Sequence, residues 1–139
     1  NFIGYIWTTL GIRLEDAGKM LKKALALKPN SAFILDSWGW YLYSTGKINE
    51  AVVELEKAQA LKPKQTVILD HLGDAYMKLN LRKKALKKYK DALNNSQEGD
   101  SKKSLAEKIK VLEDQLAQEN DPYSVPKQED REIASEPKD

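Results

Sequence analysis

The chain has 139 residues, a formal net charge of +2 and 41% apolar residues. That is enough for one domain with a buried core, and too balanced in charge to imply a global electrostatic partner. The absence of cysteine excludes disulfide frameworks, thiolate metal sites and cysteine nucleophiles, and no apolar run approaches the ~20 residues that a membrane-spanning helix requires.

In chain order, residues 1–29 read as a helix pair that starts late. Ile3, Gly4 and Trp7 stand in its first helix, and Ala17, Leu21 and Ala24 in its second, before Pro29. The connecting stretch LGIRLED is one residue longer than its later counterparts. Phe2, Ile3, Ile6 and Trp7 have nothing upstream to cover them. This predicts further sequence ahead of Asn1, with additional helix pairs as one form of it; self-association through this open edge is the alternative.

Residues 30–63 read as a complete pair. AFILDSWGWYLYST carries Leu35, Trp38 and Leu42 at helical spacing. Ser31 precedes it and can cap its first turn through the hydroxyl. After the short GK turn, INEAVVELEKAQALK places Ala51, Leu55 and Ala58 on one face. Pro63 cannot continue the helix and stops the unit. Gly39 and Ala51 let the two backbones approach, with Trp38, Leu42 and Leu55 filling the space beside the crossing.

Residues 64–97 repeat the arrangement with Leu69, Leu72, Gly73 and Tyr76, then Ala85, Tyr89 and Ala92. Gln97 stands where a closing proline would be. Residues 100–119 then form an amphipathic helix with Leu105, Ile109, Leu112 and Leu116 on one face, suited to capping the array. From 120 to 139 the sequence is proline-containing and acidic, a tail in which Tyr123, Val125 and Ile133 are the apolar anchors.

The units share a period. ALALKP at 24–29 returns as AQALKP at 58–63, a step of 34 residues. Asp36 and Asp70 match at that step, as do Gly39 and Gly73, Ala17, Ala51 and Ala85, and Ala24, Ala58 and Ala92. The motifs Leu35-x2-Trp38-Gly39-x2-Leu42, Ala51-x3-Leu55 and Ala58, then Leu69-x2-Leu72-Gly73-x2-Tyr76, Ala85-x3-Tyr89 and Ala92, resemble the tetratricopeptide repeat. The resemblance covers roughly residues 1–95. It implies an all-α, right-handed α-solenoid of three helix pairs plus a C-terminal capping helix. It also implies a non-catalytic scaffold or adaptor that binds a peptide or partner helix in its concave groove. The match is of bacterial type, which slightly favours the cell envelope over the cytoplasm.

Carried over by position, the family's groove falls on Asn1, Phe2, Tyr5 and Thr8 in the first unit. In the second it falls on Phe33, Asp36, Ser37, Trp40 and Tyr43, and in the third on Val67, Asp70, His71, Asp74 and Met77. The set is aromatic in the middle and acidic toward the third unit. Asp36 and Asp70 stand where a carboxylate clamp would need cations, so no such clamp is expected. A protein or peptide with aromatic or aliphatic anchors and a basic residue fits better. The competing reading is that Trp40 and Tyr43 only cover a neighbouring helix.

Enzymatic and cofactor chemistries find no support. His71 is the single histidine; it could pair with Asp74 at i+3, but no nucleophile or metal-ligand set completes a site. STGK at 44–47 lacks phosphate-loop spacing. RKKALKKYK at 82–90 is basic, and nucleic acid or anionic lipid is conceivable there. Its inward set is Ala85, Leu86 and Tyr89, so the lysines read as a solvated face. The array could also serve as a rigid arm in a larger assembly, acting through its ends and tail.

Overall fold

The computed structural model describes residues 2–97 and 99–123. Asn1, Glu98 and positions 124–139, with Val125 and Ile133, lie outside the described residues. Within them the chain is seven helices: α1 (Phe2–Leu10), α2 (Leu14–Leu27), α3 (Ala32–Ser44), α4 (Ile48–Leu61), α5 (Thr66–Lys78), α6 (Arg82–Asn95) and α7 (Asp100–Glu119). The first six form three antiparallel pairs; α1, α3 and α5 lie side by side, α2 and α4 each contact the next pair, and α7 packs on α6. This is the all-α helical solenoid expected.

Each pair closes on a glycine. A Cβ added to Gly4 would stand 3.0 Å from Leu21 Cγ, one on Gly39 2.7 Å from Leu55 Cγ, and one on Gly73 2.5 Å from Tyr89 Cε1. The missing side chain is what lets the second helix lay its large residue flat against the first. Ala17, Ala51, Ala85, Ala58 and Ala92 are fully buried beside these crossings, while Ala24 in the first unit is only partly so. Ser31 Oγ accepts from the Ile34 amide at 3.5 Å and caps α3. Trp38 packs against the core while partly buried, stacked on Tyr41 at 5.2 Å.

The inter-helix turns also repeat. Gly46 and Asn80 occupy the same left-handed position, with φ of 86° and 60°. The Lys47 amide then donates to the Leu42 carbonyl at 2.8 Å, and Leu81 to Tyr76 at 2.9 Å. This six-to-one bond satisfies a carbonyl that the helix end would otherwise leave open. The first unit makes the same closure, Ile12 to Trp7 at 2.9 Å, over Gly11. Its extra residue is placed after the closure, as Arg13 with φ 48°. A left-handed non-glycine costs about 1–2 kcal/mol. Here the side chain offsets part of that: Arg13 Nη2 is 2.9 Å from Asp16 and its guanidinium lies 4.4 Å above the Trp7 ring.

Leu105 and Leu112 of α7 are buried in the main core, with Ile109 and Leu116 partly buried beside them. Ion pairs brace this helix: Lys90 to Glu113 at 3.0 Å, and Arg82 to Glu119. Phe2, Ile3, Ile6 and Leu10 are exposed, Phe2 by 71%.

Candidate functional site in the concave groove

Because α1, α3 and α5 lie side by side, equivalent positions on them converge on one face. Phe2 and Tyr5 of α1, Phe33, Ile34, Asp36 and Ser37 of α3, and Val67 of α5 line a single cleft of about 330 Å³. Apart from Ile34, every one of these residues is a groove position expected from sequence. Thr8 is not part of it. Its side chain is buried, and its hydroxyl donates to the Gly4 carbonyl of the preceding turn at 2.8 Å.

Next to this cleft, aromatic residues of α1, α3 and α5 stack. Trp40 lies 4.7 Å from Tyr43 and 4.2 Å from His71, both nearly parallel, and the Tyr5 ring stands 6.0 Å from His71, tilted by 42°. Trp40 and Tyr43 are partly buried and outside this cleft's lining, and Trp40 lies against α5 through His71. The Trp40 Nε1 is buried and makes no hydrogen bond among the described residues.

The acidic positions differ most from expectation. His71 does not pair with Asp74. Its Nδ1 lies 2.8 Å from Asp36 Oδ1, across to the preceding pair, with both side chains buried. A carboxylate only accepts, so Nδ1–H is the donor and the imidazole orientation is fixed. Asp70 and Asp74 are both claimed by Lys108 of α7, whose Nζ stands 2.9 Å from Asp70 Oδ1 and 3.1 Å from Asp74 Oδ1. Asp74 also accepts from the Tyr89 hydroxyl at 2.6 Å. The acids that were expected to await a ligand's basic residue are therefore held within the chain.

Lys108 escaped the sequence reading, although a signal was present. It lies three residues after Leu105 and four before Leu112, on the flank of the buried stripe. Met77, Tyr89 and Lys108 join Ser104, Glu107, Val111, Leu112 and Gln115 around a second cleft of about 310 Å³ at this end of the concave face.

These contacts tie protons to the fold. Burial pulls the Lys108 ammonium down, but Asp70 and Asp74 outweigh it and the net direction is up from 10.5. Burial raises the phenols of Tyr5 and Tyr43 above 10.0, helped by nearby aspartates. Tyr76 and Tyr89 are pushed up strongly, first by burial and then by donating to Glu56 and Asp74. Groups that bind protons more tightly when folded stabilise fully below their unfolded pKa, and that stability is lost as pH rises through the folded value. Urea midpoints are therefore expected to hold steady up to about pH 9.5 and fall beyond about pH 10. Tyr89→Phe, which has no phenol to ionise, should flatten that fall; an unchanged slope would contradict the assignment.

The basic stretch 82–90 is largely engaged or solvated. Arg82 and Lys90 pair with α7, Lys87 with Asp91 at 3.4 Å, and Lys84 lies over the Tyr76 ring. Among the described residues no three His, Cys, Asp or Glu side chains gather as a metal site, and no helix is long and apolar enough to cross a membrane.

Three stacked helix pairs, a glycine at each crossing, a concave face built by the first helices and a capping helix define an α-solenoid. The chain has the tetratricopeptide-repeat fold. The Sgt2 TPR domain from Aspergillus fumigatus is similar at a TM-score of 0.75 and 17% identity, over 88% of this chain and 80% of that one. The first TPR of Spaghetti (RPAP3), bound to the HSP90 peptide SRMEEVD, is similar at 0.71 and 18%, over 82% and 87%. The Yersinia enterocolitica type III secretion chaperone SycD, in complex with a peptide of the translocator YopD, is similar at 0.71 and 13%, over 86% and 90%. No protein-family model matches the chain, and no curated protein matches it.

Proposed function

We propose that the chain is a non-catalytic protein-interaction module that holds a peptide or partner helix in its concave groove. The observation that carries this is the cleft between α1, α3 and α5, where Phe2 and Phe33 stand 71% and 50% exposed against Tyr5 and Val67. Aromatic side chains gathered in a concavity supply most of the energy of an interface once a partner buries them. Two structures of the same fold that hold peptides, RPAP3 and SycD, support the same use of the chain. Because Asp36 of this cleft is already partnered by His71, apolar anchors dominate recognition there.

The test is selection from a random-peptide display library, followed by affinity measurements on the parent and on Tyr5→Ala and Phe33→Asp variants. Peptides rich in aromatic and aliphatic residues are expected, with affinity falling roughly tenfold or more in each variant while helicity is unchanged. Equal binding by parent and both variants would remove the groove from the function.

A further inference from the structure

The unanswered charges on the border of the main cleft are of one sign. The loops leading into α3 and α5, residues 28–31 and 62–65, read KPNS and KPKQ. Their lysines, Lys28, Lys62 and Lys64, are exposed and pair with no carboxylate among the described residues. Lys62 stands at the cleft itself, its Nζ 5.9 Å from the centroid of the half-exposed Phe33 ring. No acid occurs from position 17 to 35 or from 57 to 69. The acids that follow are committed, Asp36 to His71 and Asp70 to Lys108. The neighbouring helices add none: α1 carries no charge, and the one acid of α6, Asp91, is paired with Lys87. Apolar surface continues along the same two loops, where Leu27 and Leu61, each directly before a lysine, are 75% and 47% exposed.

We propose that the cleft takes an acidic peptide segment, in which an aspartate or glutamate lies close to a large aromatic or aliphatic residue. The apolar residue enters against Tyr5, Phe33 and Val67, and the carboxylate meets Lys62 at the mouth. Lys28 and Lys64 add positive potential from the same loops. Charge complementarity selects the occupant: the one acid lining the cleft, Asp36, already has its partner, so the charge left to a ligand is positive. A basic segment would meet lysines and no free carboxylate. Exposed ion pairs contribute little energy, so the apolar anchors supply affinity and the lysines supply selectivity. The proposal rests on the interaction-module reading and deepens it by giving the partner a charge. That charge is opposite to the one the aspartates suggest from sequence, because the aspartates are satisfied within the chain.

The experiment is a random-peptide display selection run in parallel on the parent, Lys62→Glu, Lys83→Glu and Tyr5→Ala proteins, each checked for helicity and melting temperature. The parent should enrich peptides with Asp or Glu close to Phe, Trp, Leu or Ile. Lys62→Glu should exchange those acids for Lys or Arg, a change of specificity that unfolding cannot produce, and should bind the parent's peptides about fivefold more weakly. Lys83→Glu makes the same charge change at the start of α6 and should select as the parent does; an equal exchange there would reduce the effect to net charge and overturn the proposal. If Tyr5→Ala weakens binding about tenfold while Lys62→Glu selects and binds as the parent does, the acidic partner fails and the groove reading stands. If neither variant alters selection or affinity, both fail. The other occupants have their own signatures, each of which overturns the proposal. Binding to phosphatidylserine vesicles that Lys62→Glu abolishes would assign the lysines to a lipid surface. A parent dimer dispersed by Lys62→Glu in sedimentation would identify a second copy. Enhanced peptide binding on removal of residues 124–139 would assign the cleft to the chain's own acidic tail.

Discussion

Replacing Gly73 with valine is expected to lower the melting temperature by roughly 10–15 °C, the largest effect of any single substitution on the solenoid's packing. A Cβ at this position would stand 2.5 Å from Tyr89 Cε1 and 2.7 Å from Cδ1, well inside contact distance. The ring has no room to yield, because Tyr89 is 3% exposed and its hydroxyl is fixed 2.6 Å from Asp74. Overpacking of this kind costs about 1–3 kcal/mol. Moving the ring also breaks a hydrogen bond to a carboxylate, worth about 1.5–3 kcal/mol. The first two units use leucine, Leu21 and Leu55, where the third uses Tyr89. Adding Tyr89→Leu to the milder Gly73→Ala should therefore recover part of the loss, since leucine can change rotamer where a tethered ring cannot. A Gly73→Val protein melting within about 3 °C of the parent would refute the packing argument. Gly46→Ala provides the contrast: nothing lies within 4 Å of its Cβ, and only its φ of 86° is strained.

The same residues explain why the fold was legible and the charge network was not. Helix pairing is written at a fixed step along the chain, because every crossing meets the same steric requirement of a small residue facing a large one. Gly39 opposite Leu55 and Gly73 opposite Tyr89 are that requirement made visible. The face lined by Phe2, Tyr5, Phe33 and Val67 follows directly, since equal positions on parallel helices must converge. Pairing between side chains obeys no such step. Along its own helix His71 has Asp74 as a possible i, i+3 partner; the partner it takes, Asp36, is brought near by stacking of α3 on α5. Lys108 was overlooked for a related reason. An amphipathic pattern reports which residues are apolar, and Lys108 rides the edge of the buried stripe carrying a charge that only α5 can explain. The extra residue of the first turn was countable, but its resolution as a left-handed Arg13 depends on Trp7 and Asp16 lying within reach.

His71→Leu is expected to destabilise the chain by about 3 kcal/mol, read as a fall in the urea midpoint with little change in slope. Asp36 is 4% exposed and His71 is its hydrogen-bond partner at 2.8 Å, so the substitution leaves a largely buried carboxylate without that partner. Removing one member of a buried pair costs more than the pair contributes, because the survivor keeps its desolvation penalty. Leucine also loses the flat face on which Trp40 stacks at 4.2 Å, which loosens the contact of α3 with α5. The double variant Asp36→Leu, His71→Leu separates these causes. With no stranded charge it should regain most of the stability, leaving only the packing change at Trp40. A double variant as unstable as His71→Leu alone would mean that the ring stack, and not the buried carboxylate, holds α3 to α5. Binding then reports separately from stability. The double variant keeps the Phe2, Tyr5, Phe33 and Val67 wall but removes Asp36 from its floor. If apolar anchors dominate recognition, it should retain the parent's affinity for aromatic peptides within about threefold, because the pair it lacks was already satisfied within the chain.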